Sequence, residues 1–381
     1  MSIKEVMTFK SGKFCFCDQY DKSKMEKWLV EASVLIATIR DIPLLPKWSS
    51  QIDPELLYSS IAGTAAIEGN AISEQDVRVI AAGKTPETEY SRKDQIEIKN
   101  LLTAYQLTDS IPSAQQPFTL TEELIRELHR LITSGIPYEN NIPGTYRNGK
   151  VVVGDKSHGG IYTPPKIIED VDMLMKAFIE WINSEEIISL PALVRSALAH
   201  YHLGLIHPFW DGNGRVARLT EALLLQDAGI RYVPRSLSNY YSRHVDDYYI
   251  AFSKSTKAEH DVTPFLEFTL NGVINSLIKM KTRLSFFIRE LVMRDHIHFL
   301  GTNKTISKRQ CDLLNILLDK RGAPFSLNEL SRTMPYSILY KRISLQTARR
   351  DLKKLSEMNL LSSDDSGKYM LNMHALDQQE R

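Results

Sequence analysis

The stretch that most restricts how this chain can fold is His207-Pro-Phe-Trp-Asp-Gly-Asn-Gly-Arg-Val-Ala-Arg218, set between two segments of helical apolar spacing, around 190–206 and 215–228. The joint has to be a tight turn, because Gly212 and Gly214 permit backbone conformations closed to other residues. Such a turn directs peptide N–H groups inward, and a helix beginning near Arg215 aims its positive end at the same spot, so the two together make an anion cradle. Arg215 and Arg218 stand on neighbouring faces of that helix, and guanidinium forks match phosphate oxygens. Two arginines imply more than one phosphate. Asp211 adds a hard oxygen of the kind Mg²⁺ takes when phosphates and water complete its shell. His207, anchored by Pro208, has an ordinary pKa of about 6.5 and so is largely neutral at pH 7, able to accept a hydroxyl proton.

The rest of the chain builds a mainly α frame around this loop. Apolar residues recur at helical spacing in KWLVEASVLIATI and PELLYSSIAGTAAIEG. Asp53 can cap a helix opening at Pro54, and Gly69-Asn70 can stop it, which predicts a short helix over about 54–69. The polar, two-proline stretch 109–119 reads as a connection, and 119–133 as a capped amphipathic helix. The one β-like segment is a hairpin or flap from Tyr146 to Pro165, followed by a helix around 166–183. From 302 the character changes to three short helices and a small β-wing turning at Ser366-Gly367. These boundaries predict an N-terminal helical region (1–110), a core (111–275), a linker helix (276–301) and a separate module (302–381).

Bulk composition narrows the classes. Lys plus Arg (47) balances Asp plus Glu (46), so no global field draws the molecule onto nucleic acid or membrane. Three cysteines, Cys15, Cys17 and Cys311, argue against a disulfide framework and for a reducing, cytoplasmic setting. No stretch is long and apolar enough to predict an export signal or a membrane span.

His-Pro-Phe-x-x-Gly-Asn-Gly-Arg-x-x-Arg matches the full signature of the Fic family, and the chain resembles that family over roughly residues 50–270. The resemblance implies a helical bundle with a β-hairpin flap that moves AMP from ATP onto a Ser, Thr or Tyr hydroxyl of a target protein or of the chain itself. In that family His207 would be the general base and Asp211 would hold Mg²⁺ against the α- and β-phosphates. Asn213 and the amides of Gly212 and Gly214 would bind phosphate oxygens, and Arg215 and Arg218 would take the β- and γ-phosphates. Phe209 would pin the loop. The flap, around Arg147 to Tyr162, would align the target peptide by strand addition. Tyr248-Tyr249 resembles the paired tyrosines that flank adenine, although helical aromatics are most often core, and Thr256 stands where the family often has Asn. Thr64-Ala-Ala-Ile-Glu68-Gly69-Asn70 resembles the family's inhibitory motif, in which Glu68 would pair with Arg218 in the space of the γ-phosphate.

Lys341, Arg342, Arg349, Arg350, Lys353 and Lys354 stand against one acid, Asp351, and the helix opening at Ser344 resembles the recognition helix of a winged helix-turn-helix. DNA and a docking protein are both open as its partner, and so is an oligomer. A competing reading makes the chain a DNA-binding regulator that only senses nucleotide, but a sensor needs the cradle and not the base His207. A hydrolytic metal site on His200, His202 and His207 is disfavoured, because a His-x-His pair within one helix splays apart.

Overall fold

The structure, a computed structural model, describes residues 3–111, 118–137, 140–258, 260–320, 323–364 and 366–377. Most of the expected connection at 109–119 lies outside the described residues. Spatial proximity divides the chain into two compact units, Met1–Lys281 and Thr282–Arg381.

The first unit opens with a hairpin of β1 (Ile3–Met7) and β2 (Lys13–Cys17), antiparallel with Ile3 opposite Cys17. Helices follow as α1 (Lys22–Asp41), α2 (Pro46–Ile67), α3 (Glu74–Ala81), α4 (Arg92–Ser110) and α5 (Glu122–Thr133). After the flap come α6 (Ile168–Ile182), α7 (Glu185–Ile188), α8 (Ala192–Ile206), α9 (Asn213–Asp227), α10 (Leu237–Arg243), α11 (Val245–Lys257) and α12 (Thr263–Thr302). Side-chain caps explain several starts: Asp21, Ser73, Ser91 and Thr121 each accept a backbone N–H of the first turn. α8 is the central rod. It is buried on nearly every side, from Leu193 to Ile206, and packs along α9.

Three sequence expectations change here. The flap is not the one β segment: β1–β2 precedes it, with Phe16 and Cys17 buried and Phe16 5.5 Å from Trp181. KFCFC is apolar on both faces, so it carries no alternation to betray a strand. The flap itself pairs at one bridge, Val153 with Tyr162. Finally, α2 begins at Pro46 rather than Pro54, which lies inside it. Pro46 occupies the first turn, where a missing N–H costs nothing, and buried Trp48 and Ile52 hold the extra turns against their neighbours.

The second unit contains the C-terminal part of α12, then α13 (Lys308–Asp319), α14 (Leu327–Arg332), α15 (Ser337–Tyr340), α16 (Leu345–Glu357) and an antiparallel pair, β3 (Leu361–Ser363) and β4 (Tyr369–Leu371). Residues 282–301, read from sequence as linker, belong to this unit: Met293, Ile297 and Leu300 pack in one core with Leu313, Leu317, Leu352 and Leu355. Among the described residues no helix is long and apolar enough to cross a membrane.

Candidate active site

His207 ends α8 in the left-handed conformation, φ 50° and ψ 59°, while its N–H still bonds Leu203 C=O at 2.9 Å. That conformation costs a side-chain-bearing residue energy, so the surroundings must hold it. Arg147 does so. Its guanidinium is fully buried and donates to the carbonyls of His207 at 2.7 Å, Gly149 and Pro165 at 2.6 Å, and Ile206 at 3.3 Å, while its own N–H bonds Pro208 C=O at 2.9 Å. One side chain thus ties the base of the flap to the end of α8. Among the described residues the His207 ring makes one hydrogen bond, Nδ1 to Gly204 C=O at 3.4 Å. A carbonyl only accepts, so the proton sits on Nδ1 and Nε2 keeps its lone pair. Burial, helped by the nearby Arg147 charge, pushes this imidazole down to about 4, which keeps it neutral at pH 7.

The loop between His207 and α9 is stapled from inside. Asn213 Oδ1 accepts Phe209 N–H at 2.8 Å and Asn213 Nδ2 donates to Phe209 C=O at 2.9 Å. Phe209 is fully buried and stacks on His129 of α5, with centroids 3.7 Å apart. His129 Nδ1 accepts Gly144 N–H at 2.9 Å, so its Nε2 donates to Asp211 C=O at 3.0 Å. Gly212, at φ +81°, starts α9 without a side-chain cap, and a Cβ there would meet Thr133, Ile132 and His129.

At the start of α9 two arginines point to different partners. Arg215, 1% exposed, lies between Glu97 of α4 and Asp211, whose Oδ2 is 2.7 Å away. Arg218, 3% exposed, donates from Nε to Thr64 Oγ1 at 2.8 Å and from one terminal nitrogen to Glu68 Oε1 at 2.6 Å and Thr64 C=O at 3.3 Å. Gly214 makes room for this contact, since a Cβ on it would stand 2.7 Å from Glu68 Oε1 and 3.0 Å from Arg218. A carboxylate therefore rests on the helix that opens the cradle, paired with the arginine at its floor.

Residues 119–225 match the Fic/DOC family. They form a Fic domain. "Protein adenylyltransferase Fic" of Nematostella vectensis is 32% identical over 215 residues, 56% of this chain and 46% of that protein. The protein of the same name from Drosophila erecta is 33% identical over 220 residues, 56% of this chain and 40% of that one. The match thus spans less than half the length of these curated relatives. Among solved structures, a Fic family protein from Desulfovibrio desulfuricans covers 93% of this chain and 97% of its own at 20% identity and TM-score 0.55. Fic-1 from C. elegans covers 69% and 74% at 22% identity and TM-score 0.58. These two likenesses establish a mainly helical Fic fold.

Within the Fic domain and its flanks, the structure brings His207, Asp211, Gly212, Asn213, Gly214, Arg215 and Arg218 into one loop and helix start, with Thr64 and Glu68 against Arg218. The tyrosines separate. Tyr248 is buried, stacks on Tyr241 at 5.3 Å and bonds His200 Nε2 at 2.9 Å, so its hydroxyl serves the core, whereas Tyr249 is 36% exposed. His200 and His202 are likewise core residues, on Glu221 and on the Cys17 backbone. His158 links the flap to α11, with Nδ1 2.9 Å from Asp155 and Nε2 3.0 Å from Asp246, and both carboxylates raise its pKa. Sequence reasoning missed His129 and Glu97, and read Arg147 only as the flap's edge. The bonds that tie them to the 207–218 loop span 60 to 118 positions, so no local spacing could reveal them.

Proposed function

We propose that this chain transfers AMP from ATP to a hydroxyl of a protein, its own or another's, and that Glu68 holds the site idle. One observation carries the reading: a neutral imidazole with a free Nε2 stands at the lip of a glycine-built cradle whose floor arginine already grips a carboxylate. The attacking hydroxyl would give its proton to His207 Nε2 as its oxygen bonds the α-phosphorus, and the bond from that phosphorus to the bridging oxygen would break, releasing pyrophosphate. The first-turn amides of α9 and Arg218 would hold the phosphates, with Arg218 free to do so once Glu68 leaves. Tyr249 is the better placed of the two tyrosines to meet a base.

Asp211 is the residue that fits a divalent cation. Its side chain is 35% exposed, it offers a hard oxygen, and a guanidinium already stands in as its cation. Mg²⁺ bound there with the nucleotide would offset phosphate charge during the displacement. The deciding experiment is the intact mass of the purified chain after ATP and Mg²⁺, with and without Glu68→Gly. A gain of one AMP, larger in the variant, supports the reading. No gain in either form, with or without an added protein mixture, sinks it.

A second reading, of a DNA-binding regulator, draws on the C-terminal unit, which we propose to be a winged helix-turn-helix. Asp351, the acid of α16, turns inward to Arg309 at 2.8 Å, Gln310 at 3.0 Å and Tyr340 at 3.1 Å. The exposed face of α16 is left with Gln346, Arg349, Arg350 and Lys353. Duplex binding by the full chain that weakens steeply with salt, and is lost in Arg349→Ala with Arg350→Ala, would support it. Absent or salt-insensitive binding would leave protein docking.

A further inference from the structure

Arg215 is held from both sides. Glu97 is 3% exposed and both of its oxygens are in use: Oε1 takes Arg215, and Oε2 accepts Asn70 Nδ2 at 2.8 Å. Asn70 is fixed in turn, donating to Asp94 C=O at 3.2 Å and accepting Ile72 N–H at 3.1 Å. A carboxylate this deep stays ionised only against a cation, and a guanidinium this deep only against a carboxylate, so Glu97 and Arg215 lock each other in place. Asp211 is different. It reaches the same guanidinium at 2.7 Å, but its side chain is 35% exposed and so remains accessible.

We propose that Arg215 is a resident counter-cation of Asp211 and that Glu97 is a positioning residue which sets how readily a divalent cation takes Asp211 over. The inference rests on the reading of Asp211 as the carboxylate that receives an ion beside nucleotide phosphates. The reason is charge balance. With Glu97 present, the three side chains sum to one negative charge and the guanidinium is shared, so Asp211 remains attractive to an incoming ion. With Glu97 neutral, the sum is zero, the guanidinium has Asp211 as its remaining anion in this trio, and ion and arginine compete for the same oxygens. Opposed charges a few ångströms apart in a partly buried site change affinity by about tenfold or more.

The test is Mn²⁺ binding to the full chain saturated with α,β-methylene-ATP, followed by water-proton relaxation, which is enhanced by ion on the slowly tumbling protein and not by ion on free nucleotide. Glu97→Gln should raise the Mn²⁺ Kd about tenfold. Glu97→Asp should stay within about threefold. The double change Glu97→Gln with Arg215→Gln should bring the Kd back to the parent value or below, because the competing cation is gone and no buried charge is stranded. Damage to the fold would not be repaired by a second substitution, and melting curves identify it separately. A Glu97→Gln Kd equal to the parent's, or a double variant as weak as the single, overturns the proposal while leaving Asp211 as the ion's carboxylate. A parent chain that binds the nucleotide yet no Mn²⁺ overturns that assignment and this proposal together.

Discussion

In the proposed transfer His207 would act as a base only while its imidazole is neutral, and burial with the nearby Arg147 charge lowers its pKa well below neutrality. Because burial and Arg147 bring it down to about 4, the acid limb of transfer should fall near pH 4 to 5 and not near the ordinary value of about 6.5. A pH profile of kcat/KM for Glu68→Gly, with nucleotide affinity measured alongside, checks this. His207→Ala should cut transfer at least about a hundredfold while changing ATP-analogue affinity little. An equal loss of binding would mean a structural role. Glu68→Gly should raise self-labelling at saturating ATP, and Glu68→Gly with Arg218→Ala should lose that gain, since the freed guanidinium is what the first change delivers. That His207, Asp211, Glu68 and Arg218 would come together was legible in the sequence, because each sits in a short motif whose spacing carries meaning. Glu97 and His129 were not, because their roles arise only when α4 and α5 are folded against the loop.

At the scale of elements, the loop keeps its shape through α5. His129 stacks on Phe209 and holds Asp211 C=O, while Asn213 clamps the Phe209 peptide on both edges. Phe209→Ala should therefore destabilise the chain by about 3–5 kcal/mol, the usual cost of emptying a buried aromatic site, and lower the thermal midpoint. His129→Gln, which can keep a hydrogen bond to Asp211 C=O but loses the stack, should cost less and still depress transfer. If both variants melt with the parent, the loop is held by something else. The helices on either side of the loop were readable to within a few residues, since both are long apolar-rich segments bounded by Pro and Gly. The start of α2 was not, because a proline reads as a beginning wherever it stands and packing alone decides that Pro46 is the one.

For the whole molecule, the buried histidines make stability depend on pH. His129 and His202 are both fully buried and both pushed down to about 4, with burial the largest cause. Between about pH 6.5 and 4 the unfolded chain binds protons that the folded chain refuses, so stability falls as pH drops through that window and levels off below it. Each contributes on the order of 3 kcal/mol at most, so denaturant midpoints at pH 7 and pH 4.5 should differ clearly. Replacing His202 by Gln should flatten part of that slope. A midpoint unchanged between the two pH values would contradict the assignment. The division into units was only partly visible at this scale, because α12, 40 residues long, runs through the junction at Lys281 with no turn signal to mark it.

The end of α2 has a consequence for how the proposed inhibition by Glu68 could be relieved. Glu68 is the helix's C-cap, one residue past Ile67, and the end is closed off by Gly69 N–H to Ala66 C=O and Asn70 N–H to Ala65 C=O, both 3.0 Å. Freeing the carboxylate does not require 22 residues to shift, only the fraying of one terminal turn. Such local openings lie at the low end of a protein's ladder of partial unfolding energies. The amides of Gly69 and Asn70 would then exchange with deuterium faster than those at the centre of the same helix, and their exchange rate would report how often the arginine beneath is left unguarded.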